Sequence, residues 1–208
     1  MTTPTAVFIG DSITDAGRRT DPSGHYGAGY VRRIHEMVNT PVSQLTILNR
    51  GVGGDRAVDL EARWDRDVLA EKPDVLTVMV GINDMWRRYD AGAPTPASEF
   101  ESTYDSLLVR ALETGAPRIV LLEPFLVPFN DAQQAWHEED LNEKIAAVHH
   151  VASKHHLDVI ELDGLFRALA TRGGVLRATE DGVHPAADGH QLIADQWVAW
   201  ARRQNLIT

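Results

Sequence analysis

The chain has 208 residues, 43% of them hydrophobic, and no cysteine. That length suits one domain with a substantial core, and the missing thiols exclude disulfides, thiolate nucleophiles and zinc–thiolate sites. With 30 acidic against 20 basic residues and a formal charge of -10, the surface argues against nucleic acid or an anionic membrane as partner, because phosphates call for basic patches.

The first residues, MTTPTAVFIG, carry neither the basic nor the apolar region of a secretory signal, and no apolar run approaches membrane-spanning length. The expectation is a single domain over residues 1–208, in the cytoplasm. A first strand is predicted over residues 6–9; it empties into the polar stretch GDSIT, residues 10–14. Helical spacing follows at Tyr30, Ile34, Met37 and Val38. A second strand over residues 45–48 runs into NRGVGGD, residues 49–55. Leu60, Trp64 and Val68 mark the next helix. A third strand over residues 75–80 leads into the polar stretch GINDMWRRYD, residues 81–90, read as a loop. AGAPTPA, residues 91–97, is a second loop, since glycine and two prolines break any helix there. Phe100, Tyr104, Leu107, Leu108 and Ala111 repeat at helical spacing. A fourth strand, residues 118–122, precedes a proline-interrupted loop over residues 123–131. There Phe125, Leu126 and Phe129 either line a pocket or cover the core. A helix through Leu141, Ile145, Val148 and Ala152, a strand over residues 158–162, a short helix, the stretch EDGVHP (residues 180–185) and a helix through Leu192, Ile193, Trp197 and Trp200 complete the chain. Strands alternating with helices predict a three-layer α/β/α sandwich around a five-stranded parallel sheet, with a flavodoxin-like strand order.

In such sheets ligands bind beyond the carboxyl ends of the strands. The polar stretches found there hold a serine, glycine amides, an asparagine and an Asp-x-x-His pair. These are the parts for acyl transfer. Serine needs a base to take its proton, histidine needs a carboxylate to set its tautomer, and the oxyanion needs N–H donors. Ser12 alone could equally cap a helix. GVGGD lacks the G-x-G-x-x-G dinucleotide fingerprint, no G-K-[ST] is present, and there is no G-x-S-x-G elbow. His149, His150, His155 and His156 cluster on one predicted helix but match no zinc spacing, so a solvated face is expected there.

Four blocks in order, GDSIT, NRGVGGD, GINDM and DGVHP, resemble those of the SGNH hydrolases, also called the GDSL esterase family. The resemblance implies Ser12 as nucleophile, His184 as base and Asp181 as its orienting carboxylate. It further implies an oxyanion hole from the N–H groups of Ser12 and Gly54 and the side chain of Asn83, with no metal and no organic cofactor. The stretches GYVRRI, DLEARWDRDVLAEKPD and GINDMWRRYD are similar to bacterial acetyl-xylan and related carbohydrate acetylesterases. In that branch an aromatic residue often precedes the triad aspartate; here it is Glu180. The activity implied is hydrolysis of acetyl or other short acyl esters, on a small-molecule or oligosaccharide substrate. The alternatives are a lysophospholipase- or thioesterase-type lipid hydrolase and a catalytically silent carbohydrate-binding module. A homo-oligomer fits the resemblance. Asp11 reads chiefly as a tie for loop amides and is carried, with Tyr26, Trp86, Tyr89 and Glu180, as a candidate substrate contact. Asp84 reads as a cap or loop tie, and Trp64, Trp197 and Trp200 as core.

Overall fold

Apolar runs that bury both faces form five strands: β1 (Thr5–Gly10), β2 (Thr46–Gly51), β3 (Val75–Met79), β4 (Arg118–Leu122) and β5 (Asp158–Ile160). The computed structural model describes residues 3–40, 44–115 and 118–207. All four strand pairings are parallel, in the order β2-β1-β3-β4-β5. This is the flavodoxin-like order expected, with β3 central and a switch in winding direction between β1 and β3.

The helices are α1 (Ser12–Asp15), α2 (Tyr30–Val38), α3 (Ala57–Glu61), α4 (Trp64–Asp67), α5 (Ile82–Asp90), α6 (Ala97–Glu113), α7 (Asp131–Trp136), α8 (Asn142–His155), α9 (Asp163–Gly173), α10 (Val175–Ala178) and α11 (Ala187–Arg203). Successive side chains of a strand point to opposite faces. Ala6 and Phe8 of β1 therefore join Tyr30 and Ile34 of α2 and Ile193 and Trp197 of α11. Val7 and Ile9 join Leu60 of α3, Trp64 of α4, Tyr104 and Leu107 of α6 and Val148 of α8. The three tryptophans expected in the core are there, each at most 3% exposed. Trp197 donates its indole N–H to Thr77 Oγ1 at 2.9 Å and Trp200 donates to Asp158 Oδ2 at 2.8 Å. No helix among the described residues is long and apolar enough to cross a membrane.

Several elements differ from the sequence expectation: GDSIT holds the short helix α1, the fifth strand ends at Ile160 rather than residue 162, and the one short helix expected before EDGVHP is two, α9 and α10. Residues 82–90 form a helix, α5, rather than a loop. The stripe Leu60, Trp64, Val68 is split between α3 and α4, because Arg63 leaves helical geometry and turns its guanidinium inward. The helix expected around residues 141–152 is preceded by α7 and a π-turn at His137–Leu141. In the proline-rich stretch before α7, Phe125 and Leu126 cover the core, and Phe125 stacks on Phe166. Phe129 is half exposed instead.

Tyr104 carries a buried polar group whose removal breaks no bond. The Tyr104 ring stacks on Phe100, but its hydroxyl is buried without a hydrogen bond, and burial pushes its pKa up. Removing an unsatisfied buried hydroxyl costs nothing and relieves desolvation. Tyr104→Phe is therefore expected to leave stability unchanged or to raise it by up to about 1 kcal/mol in urea unfolding. A loss of about 1 kcal/mol or more would show that the hydroxyl is bonded.

Candidate active site

β1 ends at Gly10, where a Cβ would meet the carbonyl oxygen of Met79 and the Thr14 hydroxyl. Only glycine lets the strand end pack this closely. Asp11 then caps α1, its carboxylate accepting from Ile13 N at 3.0 Å. Ser12 is the first residue of that helix and is partly exposed. The cap of α1 is therefore Asp11 and not Ser12. Asp11 is 1% exposed and its second oxygen has no partner, so burial pushes its pKa up to about 7. The structure thus shows it tying a loop amide, its carboxylate buried next to Ser12.

The glycine-containing segment after β2 is fixed beside Ser12 by three anchors. Asn49 Nδ2 donates to the carbonyls of Thr14 at 2.7 Å and Tyr26 at 2.8 Å. Asp15 Oδ2 accepts from Gly53 N at 3.3 Å. Arg63 donates to Asp55 Oδ2 at 2.7 Å, to Asp67 Oδ2 at 2.8 Å and to the carbonyls of Arg50 at 2.6 Å and Gly10 at 3.1 Å. One guanidinium therefore joins the ends of β1 and β2 to this segment. That explains why Arg63 interrupts the predicted helix. A Cβ on Gly53 would stand 3.7 Å from Ser12 Cβ. Gly54 has φ +89, the left-handed region that favours glycine, with open space where a Cβ would be.

Asn83 enters on the first turn of α5. Its Nδ2 donates to the Asp55 carbonyl at 3.1 Å, and its Oδ1 accepts from Arg87 Nη2 at 3.2 Å. Asp84 is fully buried and accepts from Ala57 N, the loop tie expected of it. Burial pushes its pKa up to about 7 despite that bond.

The acid–base pair sits in a turn closed by a bridge between Thr179 and Pro185. Ser12 Oγ and His184 Nε2 are 2.9 Å apart, and His184 Nδ1 is 2.7 Å from Asp181 Oδ2. Asp181 Oδ1 accepts from the backbone N–H groups of Val183 at 3.0 Å and His184 at 2.8 Å. Partial burial pushes the Asp181 carboxyl up, but the His184 ring and these two amides outweigh it and hold it below the ordinary carboxylate range. Gly182, at φ +97, lets Val127 N bond its carbonyl at 2.9 Å. Gln133, nearly buried, donates to the Asp181 carbonyl at 2.8 Å and accepts from Phe129 N at 2.6 Å. No sequence motif marked Gln133, because the Asp181 carbonyl it holds lies 48 residues further on.

A cavity of about 410 Å³ opens beside Ser12 and His184, with Arg33, Glu180 and His190 on its walls. Glu180 is exposed, and its backbone N–H bonds the His184 carbonyl at 2.8 Å. Tyr30 N donates to His190 Nδ1 at 3.2 Å, and burial lowers the pKa of His190 to about 4. The ring is neutral near pH 7 and carries its hydrogen on Nε2. On the other side of His184 the Trp86 ring stands at 5.9 Å; Trp136 is 6.4 Å from Trp86 and stacks on Tyr89 at 4.5 Å. Trp86 and Tyr89 thus reach this rim as one aromatic group, completed by Trp136, which sequence reasoning missed. Tyr26 does not line the cavity: its ring stacks on His35 at 4.1 Å, on the side of α2. The histidines of α8 pair with acids on other elements, His149 with Glu123, His150 with Glu101 and His155 with Asp105. Among the described residues no three His, Asp or Glu side chains converge to hold a metal.

Residues 8–192 match the model of the GDSL-like lipase/acylhydrolase family. The chain is 32% identical to an acetylxylan esterase of Geobacillus stearothermophilus over 200 residues, covering 90% of this chain and 89% of that one. The crystal structure of an acetylxylan esterase from the same organism superposes with a TM-score of 0.83 at 30% identity, over 94% of this chain and 93% of that one. An alpha/beta hydrolase enzyme from the metagenome of Lake Arreo, Spain, gives 0.83 at 31% identity over 95% of each chain. The sheet order, the four blocks at its rim and these likenesses agree: the chain belongs to the GDSL-like lipase/acylhydrolase family, the SGNH hydrolases, and is a carboxylic ester hydrolase.

Proposed function

We propose that this enzyme removes acetyl groups from a carbohydrate, of the acetylated xylo-oligosaccharide kind, through an acyl-enzyme on Ser12. The observation that carries the mechanism is the continuous chain Ser12 Oγ, His184, Asp181, at 2.9 and 2.7 Å, opening into a polar cavity. Ser12 Oγ attacks the ester carbonyl while His184 Nε2 takes its proton. Asp181 holds the imidazolium that results. The N–H groups of Ser12 and Gly54 and the second N–H of Asn83 receive the oxyanion. His184 then protonates the leaving sugar oxygen, the acetyl group stays on Ser12 Oγ, and His184 takes a proton from a water that attacks it, passing that proton to Ser12 Oγ as acetate leaves.

The polar walls at Arg33, Glu180 and His190 and the neighbouring aromatic group suit a hydroxyl-rich leaving group. The exposed large apolar side chains among the described residues are Val58, Phe129 and Leu176, too few for the groove a long acyl chain needs. Relatives near 30% identity are acetylxylan esterases, which supports the same class here. The test is acetate release from acetylated xylo-oligosaccharides, beside p-nitrophenyl esters of increasing chain length. Turnover of the acetylated sugars with activity falling beyond short chains is expected. Activity that peaks at long chains, with no acetate released from the sugars, would favour lipid or thioester hydrolysis instead.

Asn83→Ala removes one oxyanion donor. It is expected to lower kcat for p-nitrophenyl acetate by about 10²–10³-fold with little change in KM. A rise in KM alone would make Asn83 a substrate-binding residue.

A further inference from the structure

Arg87 is a charged residue beside Asn83 that the reaction scheme leaves without a task. It lies one helical turn beyond Asn83 on α5, and its Nη2 donates to Asn83 Oδ1 at 3.2 Å. Nη1 pairs with Asp90 Oδ2 at 2.6 Å, and the guanidinium lies 5.7 Å from the centre of the Trp86 ring. Its Nε is buried without a partner. The group is thus held from two sides and committed to Asn83 on a third. Asn83 in turn is held from both ends of its carboxamide: oxygen by Arg87, nitrogen by the Asp55 carbonyl at 3.1 Å. A carboxamide nitrogen carries two hydrogens, so one remains for the reaction.

The two ends matter together. A half-turn of the carboxamide would set its N–H group against a cation and its oxygen against a carbonyl. Both contacts would become repulsive, and an oxygen would face the developing oxyanion in place of a donor. We propose that Arg87 is a positioning residue for the oxyanion hole. It keeps the free Nδ2–H of Asn83 turned toward the reacting carbonyl and, as a cation on Oδ1, makes that N–H a stronger donor. This rests on the reading of Asn83 as an oxyanion donor. Arg87 touches no reacting atom, so its effect passes through Asn83 and appears in kcat.

The experiment measures kcat and KM with p-nitrophenyl acetate for Arg87→Met, Arg87→Lys, Asn83→Ala and the double variant Asn83→Ala/Arg87→Met, each checked by thermal melting. Arg87→Met is expected to lower kcat about tenfold with KM within about twofold of wild type. Arg87→Lys keeps a cation near Oδ1 but cannot span Asn83 and Asp90 in a planar fork, so it recovers part of that loss. The double variant is expected to match Asn83→Ala, because no carboxamide remains to be held. Wild-type kcat in Arg87→Met alongside a large loss in Asn83→Ala would overturn the proposal. So would an equal further loss from Arg87→Met in the Asn83→Ala background, which would place its effect elsewhere. Should Arg87→Met not fold, Arg87→Lys with and without Asn83→Ala decides: a kcat loss present only with Asn83 in place supports the role, and any other pattern overturns it. Wild-type kcat in Asn83→Ala is a different failure, of the oxyanion reading itself.

Discussion

Ser12→Ala is expected to lower kcat by about 10⁴-fold or more, with melting behaviour little changed. The side chain is partly exposed, and its hydroxyl bonds only His184. No packing or capping interaction is lost, since the cap of α1 belongs to Asp11. What remains is the rate supplied by binding and the oxyanion donors, which persists in serine hydrolases stripped of their nucleophile. The hydrolysis rate of p-nitrophenyl acetate measures the loss. A phosphonate reactive toward serine should add its mass to the wild type and not to the variant. A variant within tenfold of wild type would refute a nucleophilic role for Ser12.

Asp181→Asn is expected to cost about 10⁴-fold in kcat, although it is the closest isostere available. The geometry explains why so small a change is so damaging. One carboxylate oxygen already accepts two backbone N–H groups, from Val183 and His184. An asparagine must keep its oxygen there and turn its NH₂ toward His184 Nδ1. The ring then has to accept at Nδ1 and carry its hydrogen on Nε2, where it points at Ser12 Oγ and cannot take a proton. Asp181→Ala, which leaves the ring free to choose its tautomer, is expected to be no worse than the asparagine variant. Parallel kcat measurements on the two, with circular dichroism to check the turn, test this. An asparagine variant retaining a tenth of wild-type activity would contradict the tautomer argument.

The strands were legible because a parallel strand buried on both faces reads as an unbroken apolar run, as residues 6–9 do. Their order was a matter of analogy, since no local pattern encodes which strands pair. α5 carried its own signal, Ile82, Met85, Trp86 and Tyr89 at helical spacing, but the dense polar residues of that stretch suggested a loop. The break at Arg63 was illegible for a physical reason: it is caused by acceptors at Gly10, Arg50 and Asp55, remote in the chain. The same holds for the site. Ser12, Asp181 and His184 stand in short blocks whose spacing carries chemistry, and they meet at hydrogen-bond distance. Trp136 and Gln133 reach the rim through contacts that only the fold creates, whereas Arg87 meets Asn83 at i, i+4 spacing, a pair hidden while residues 81–90 read as a loop. Tyr26 was a candidate as an aromatic residue in a polar stretch, and its ring stacks on His35.

The topology also sets an order in time. β1 is an interior strand, between β2 and β3. It precedes the other four strands in the chain, and Ser12 stands two residues past its end. His184 comes 172 residues later. At roughly 5–20 residues per second, translation separates the two by on the order of 10–30 s. Throughout that interval a nascent chain carries the serine with nothing to ionise it, however much of the sheet has formed. On the proposed mechanism Ser12 therefore gains its base only once the turn at residues 179–185 has been made, and a chain that stops before that turn has no His184 to take the serine proton.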